Sequence, residues 1–170
     1  MGGKAATAHL LGLGHRRIAY LGGPESTECN QARLHGYLCA LTAHGLAPDL
    51  LTHGRFRADH DTEGVTALLA RNNPPTAIFA GKDAIAVGVL REARRRGIRV
   101  PEDLSLLGFD GTALAQDSVP ALTPVAQPLQ EMRRATLRAV LRQSRGEQPD
   151  THRVELATQF AVRESTTRLR

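Results

Sequence analysis

Val100-Pro101-Glu102-Asp103-Leu104-Ser105-Leu106-Leu107-Gly108-Phe109-Asp110 joins a helix stop to a buried-strand pattern and ends on a carboxylate. Gly97 closes the helix before it, Pro101 blocks any continuation, and Leu104 to Phe109 reads as a strand released into a Gly/Asp turn. Asp110 therefore stands at the carboxyl end of a strand. Open α/β sheets bind ligands at that edge, so this one segment points to both a fold class and a small-molecule site.

Outward from it, apolar runs alternate with amphipathic stretches, the pattern of βαβ units. The fold class is α/β: a doubly wound, mainly parallel sheet in flavodoxin-like order. Helices are predicted near residues 4–13, 31–44, 61–71, 84–96 and 129–145, and strands near 17–21, 50–53, 76–79 and 104–109. Shorter extended pieces are predicted near 123–126, 154–156 and 159–162. Gly14 and Gly45 end helices, and Asp83 is placed to cap the helix that follows it. No internal repeat or long linker interrupts this, and Gly146 to Asp150 is the one plausible hinge.

With 170 residues, 41% hydrophobic and 23% charged, the chain can bury a core and is neither disordered nor fibrous. Its formal net charge of +5 is carried almost wholly by arginine, since Lys4 and Lys82 are the only lysines. The arginines cluster at Arg91, Arg94, Arg95, Arg96 and Arg99, and at Arg133, Arg134, Arg138 and Arg142. Both clusters fall on predicted helices without interleaved aromatics, so they read as solvated faces and not as a nucleic-acid surface. Cys29 and Cys39 lie ten positions apart on one predicted helix. That is roughly 15 Å along its axis, too far for a disulfide, which implies free thiols. No signal-peptide pattern is visible and no apolar stretch reaches the roughly 18 residues of a membrane helix, so no membrane is expected and the expected location is cytoplasmic.

Four loops follow the four main strands: Gly22 to Asn30, Gly54 to Ala58, Ala80 to Asp83, and Asp110 to Thr112. A doubly wound sheet gathers them at one edge, uniting Arg33, Phe56, Lys82, Asp83 and Asp110 on one polar rim. Arg33 offers a planar fork of donors, and its other reading is a surface ion pair. Phe56 offers an apolar face for a sugar or base, and its other reading is a core edge. Asp110 can accept paired hydroxyls, or merely cap a turn.

Other chemistries fit poorly. Gly12-Leu13-Gly14 and Gly22-Gly23-Pro24 lack the spacing of a nucleotide loop, so no cofactor is expected. The seven histidines show no metal-ligand spacing. Gly108 to Thr112 resembles a phosphatase loop, but Gly108 occupies the position of the nucleophile, and no serine has a nucleophile-elbow context. The chain does not read as an enzyme.

The assembled motifs resemble the effector-binding region of the lactose-repressor/galactose-repressor (LacI/GalR) transcription regulators. They run in order from Gly2-Gly3 through Leu13-Gly14-His15-Arg16-Arg17-Ile18-Ala19-Tyr20-Leu21-Gly22-Gly23-Pro24 and Arg33-Leu34-His35-Gly36-Tyr37. They continue with Pro75-Thr76-Ala77-Ile78-Phe79-Ala80, the opening stretch above, Leu122-Thr123-Pro124-Val125, Gln127-Pro128 and Val162-Arg163-Glu164-Ser165-Thr166. The resemblance implies the C-terminal lobe of a periplasmic-binding-protein-like domain that senses a small effector, often a sugar or purine. By the same resemblance Arg33, Phe56 and Asp110 match effector-contacting positions, Gln127 a cleft residue at the crossover, and Thr27 and Cys29 lie in a variable loop.

The implied organisation is a lobe over residues 1–126, a crossover segment over 127–152 that belongs to the family's other lobe, and return strands and tail over 153–170. It further implies a homodimer, and DNA contact only through an absent N-terminal module. Where the family often has Asn-Asp, this chain has Lys82-Asp83. With Arg33 on the same rim, Lys82 suggests an effector with an acidic group. A sugar-binding component of a transport system is the alternative reading.

Overall fold

The computed structural model describes residues 2–54, 62–147 and 154–169. In chain order the elements are α1 (Gly2–Gly12), β1 (Ile18–Gly22), α2 (Glu28–Thr42), β2 (Leu51–His53), α3 (Thr62–Leu69) and β3 (Ala77–Ala80). They continue with α4 (Asp83–Arg95), β4 (Ser105–Asp110), α5 (Ala113–Gln116), β5 (Thr123–Ala126), α6 (Leu129–Ser144) and β6 (Gln159–Phe160). One sheet holds all six strands in the order β2-β1-β3-β4-β5-β6. The first five are parallel and β6 joins β5 antiparallel. This is the doubly wound order expected from the sequence.

Side chains alternate across a strand, so each central strand supplies two cores. Ala19, Leu21, Ile78, Ala80 and Leu106 face one side and pack with Val65 and Leu68 of α3 and Ile85, Ala86 and Val89 of α4. Ile18, Tyr20, Ala77, Phe79, Leu107, Phe109 and Val125 face the other and pack with α1 and α2 through Ala6, Leu10, Tyr37, Ala40 and Leu41. Strands buried on both faces read as continuous apolar runs, as β1, β3 and β4 do. Gly14, Gly45 and Gly97 end α1, α2 and α4 with φ of 94°, 66° and 71°, as their positions suggest.

The differences are local. Helix α2 starts three residues earlier than its pattern, because the chain leaves the extended conformation at Thr27 and the carboxylate of Glu28 suits a first turn. The short helix α5 has no counterpart in the sequence reading, being too brief to show a period. Val154 to Leu156 forms no strand, and the last strand spans only Gln159 and Phe160. That end of the chain is secured mostly by side chains. Ser165 accepts from the Thr123 amide at 2.8 Å and donates to the Leu106 carbonyl, and the Leu106 amide donates to the Ser165 carbonyl at 2.7 Å. Buried His15 lies 3.0 Å from both Thr76 Oγ1 and Ser105 Oγ and 3.1 Å from the Thr167 carbonyl.

Helix α6 stands apart, with no buried residue. Met132, Leu137, Val140 and Leu141 are 40%, 60%, 57% and 48% exposed. These apolar side chains of α6 therefore lie uncovered among the described residues.

Candidate functional site

Arg33 reaches the sheet edge because α1 and α2 cross at unusually short range. A Cβ on Gly3 would lie 2.2 Å from the Arg33 carbonyl oxygen, and one on Gly36 would lie 2.4 Å from the Lys4 amide nitrogen. Only glycine at both positions lets the backbones meet, which seats Arg33 above the carboxyl ends of β3 and β4. Its Nη2 donates to Asp110 Oδ1 at 3.0 Å, its Nη1 donates to the Gly81 carbonyl, and its guanidinium carbon lies 4.0 Å from the Phe109 ring centroid. Each side chain of the Arg33–Asp110 pair is only 11% exposed. Of the two readings open for Arg33, an ion pair is present, but a buried one built into the rim.

Asp110, the last residue of β4, has φ of 106°, the only positive value at a non-glycine among the described residues. Such backbone costs on the order of 1–3 kcal/mol and persists only where its surroundings fix it. Gln127 Nε2 donates to the same Oδ1 at 2.6 Å, and the Gln127 amide donates to the Asp110 carbonyl at 3.0 Å. No donor among the described residues reaches Asp110 Oδ2. The carboxylate is thus aimed and partly neutralised, with one oxygen able to accept from a ligand hydroxyl.

Two depressions meet at the turn after β4. One, of about 380 Å³, is lined by Lys82, Asp83, Asp110 and Thr112 among others. The other, of about 410 Å³, is lined by Thr112, Gln127 and Pro128 among others. The structure therefore brings together four of the five expected residues: Arg33, Lys82, Asp110 and Gln127. Phe56 lies outside the described residues. Thr27 Oγ1 donates to the Pro24 carbonyl within its own loop at 2.9 Å, and Cys29 is exposed, so neither bonds to this cluster.

Asp83 differs from its expected role. The helix cap is Lys82, without a side-chain cap bond. The Asp83 carboxylate instead accepts from the Thr112 amide at 2.7 Å and from Thr112 Oγ1 at 2.9 Å. Burial raises the Asp83 carboxyl above the usual range, the Thr112 bonds oppose that, and the charge of Asp110 adds to it. Asn30 was also missed. It is fully buried and its Oδ1 accepts from Tyr20 Oη at 2.7 Å and from the Gly23 amide at 3.0 Å, which fixes the loop after β1. Nothing in the sequence marked it, since a polar residue near a helix start ordinarily faces solvent.

An open, mainly parallel sheet with a preassembled Arg–Asp–Gln cluster at its carboxyl edge is an α/β architecture whose ligands, where it has them, enter at that edge. The chain belongs to the periplasmic binding protein-like domain family, whose model matches residues 7–166. It is 41% identical over 170 residues to the HTH-type transcriptional regulator DegA of Bacillus subtilis, covering 99% of this chain and 50% of DegA. Among solved structures it is similar to a complex of the transcriptional regulator CelR with cellobiose, with a TM-score of 0.90 and 37% identity over 96% of this chain and 51% of that one. A LacI family transcriptional regulator from Mycobacterium smegmatis superposes with a TM-score of 0.86 at 34% identity, over 98% of this chain and 63% of that one. The resemblance to the LacI/GalR regulators is thereby met. The chain spans about half the length of the curated relatives it matches.

Proposed function

We propose that this chain is the effector-sensing region of a LacI-type bacterial transcription regulator, and that its effector is a hydroxyl-rich molecule of the sugar class. The observation that carries this is the Asp110 carboxylate. It is held by Arg33 at 3.0 Å and by Gln127 at 2.6 Å, in a strained backbone conformation at the rim where ligands enter such sheets. Arg33, Lys82, Asp110 and Gln127 are assigned to effector binding, with Phe56 joining them by resemblance. The CelR–cellobiose complex supports the sugar class. An effector with an acidic group is less well served than the sequence suggested, because Asp110 already matches the charge of Arg33.

Gln127 gives the site a route outward. It opens the crossover segment, and both its amide and its side chain bond to Asp110. A ligand hydroxyl bound at Asp110 Oδ2 draws on the same carboxylate that Gln127 holds through Oδ1, so binding and the position of the crossover are coupled. The division into a lobe over 1–126, a crossover over 127–152 and a tail over 153–170 follows from that reading. DNA contact belongs to a module outside this chain, in a cytoplasmic regulator that performs no catalysis. Pairing of two such chains is carried over from the family resemblance.

The test is a thermal-shift screen against neutral sugars, sugar phosphates and nucleosides. A rise in melting temperature with neutral sugars, absent in Asp110→Ala, is the expected result. Stabilisation by phosphorylated compounds alone would restore the acidic reading, and stabilisation untouched by Asp110→Ala would move the site elsewhere.

A further inference from the structure

Asp83 opens α4, yet its carboxylate turns from its own helix to the exit of β4, where Oδ2 takes both Thr112 bonds. It is 1% exposed, and its Oδ1 is buried without a hydrogen-bond partner. That oxygen occupies space open only because residue 108 is glycine, since a Cβ on Gly108 would lie 2.6 Å from it. A buried carboxylate with an unsatisfied oxygen is a poor way to stabilise a fold, so its position calls for a local reason. The turn it grips supplies one. Between Gly108 and Thr112 lies Asp110, with φ of 106°, followed by Gly111, with φ of 75°.

Two anchors bracket the strained residue. On one side the Gln127 amide holds the Asp110 carbonyl at 3.0 Å. On the other, Asp83 holds Thr112, and it is the one partner of the Thr112 amide among the described residues. The charged groups around Asp83 are Lys82 beside it and Asp110 across the turn, with Arg33 beyond Asp110. We propose that Asp83 is a positioning residue for the effector site: acting through Thr112, it holds the turn after β4 so that Asp110 keeps its positive φ and presents its carboxylate to the rim. The role of Asp110 toward an effector rests on the function proposed above, whereas its backbone geometry does not.

The experiment is solution NMR on the 170-residue chain, reading the φ-dependent backbone couplings of Asp110 and the amide exchange of Gly111 and Thr112. The variants are Asp83→Ala, Thr112→Val and Thr112→Ser, each also screened by thermal shift with a panel of unmodified mono- and disaccharides. Asp83→Ala moves Asp110 to negative φ and abolishes any sugar-induced shift. Thr112→Val, which keeps the amide bond and is the mildest change to the fold, speeds exchange at Gly111 and Thr112 by roughly tenfold, and Thr112→Ser restores it. A folded Asp83→Ala chain with Asp110 still at positive φ overturns the proposal, as does equal exchange in Thr112→Val and Thr112→Ser. A displaced turn in the variant with no sugar response in the wild type supports the positioning role and overturns the effector reading alone.

Discussion

At the scale of single residues, the site is built from groups that are costly to disturb because they are buried together. Truncating Arg33 leaves the Asp110 carboxylate, 11% exposed, without its cation. Arg33→Ala is therefore expected to lower stability by about 3 kcal/mol, read from urea midpoints. A loss below about 1 kcal/mol would show that water already shares the pair. Gly108→Ala places a Cβ 2.6 Å from buried Asp83 Oδ1 and is expected to lose about 1–3 kcal/mol by overpacking. A fully stable Gly108→Ala chain would mean that Asp83 can move aside freely. The legibility of these residues differed for a physical reason. Arg33, Lys82 and Asp110 sit by the loops that a doubly wound sheet gathers at one edge, so chain position pointed to them, whereas Gln127 was marked only by the family resemblance. Asp83 bonds to Thr112, 29 positions away, and a carboxylate at a helix start looks like a cap whatever it touches.

At the scale of elements, α4 carries the clearest dependence on pH. Glu92 is buried on that helix, accepts from Arg95 at 2.7 Å and Arg96 at 2.6 Å, and takes a bond from Thr66 on α3 at 3.0 Å. The Arg95 and Arg96 bonds, with Thr66 adding to them against the opposing effect of burial, hold its carboxyl at about 2, below the ordinary 4.5. A lowered carboxyl contributes stability that is present above the unfolded value and lost as pH falls toward the folded one. Melting temperature is thus expected to fall between about pH 4.5 and 2, and Glu92→Gln is expected to flatten that limb while melting lower at neutral pH. An unchanged acid limb in Glu92→Gln would place the sensitivity elsewhere. Asp83 runs the other way, because its carboxyl is raised: its contribution is present below the unfolded value and fades as pH rises through the folded one.

One hydroxyl sits at the centre of the bonds that hold the end of the chain. Ser165 bridges Leu106 of β4 and Thr123 of β5, so Ser165→Ala leaves a buried amide unpaired and is expected to lose about 1–3 kcal/mol. A loss within experimental scatter, by denaturant melts, would mean that water enters the gap. These same elements show where sequence reading ends. β1, β3, β4 and α4 carry long apolar periods and were located within a residue or two. The final strand was expected near 159–162 but pairs only at Gln159 and Phe160, and α5, four residues long, is too brief to show a period.

At the scale of the whole molecule, the strand order and the two cores were legible, because strands buried on both faces between amphipathic helices admit few arrangements. The apolar side chains of α6 are exposed, among them Leu137 and Val140. What composition could not show is that the rim is nearly charge-balanced. That depends on Arg33 and Asp110 meeting across 77 positions. A balanced, preassembled rim suits hydroxyls better than phosphates, and Gln127 bonds it to the segment that follows β5.

The most direct measurement is a calorimetric titration of the neutral sugar that stabilises the chain most, against wild type and Asp110→Ala. The prediction is saturable binding with one site per chain, weakened by roughly 10- to 100-fold in the variant, the worth of hydrogen bonds to a charged acceptor. Equal affinity in the two proteins would contradict the assignment of Asp110, and with it the site.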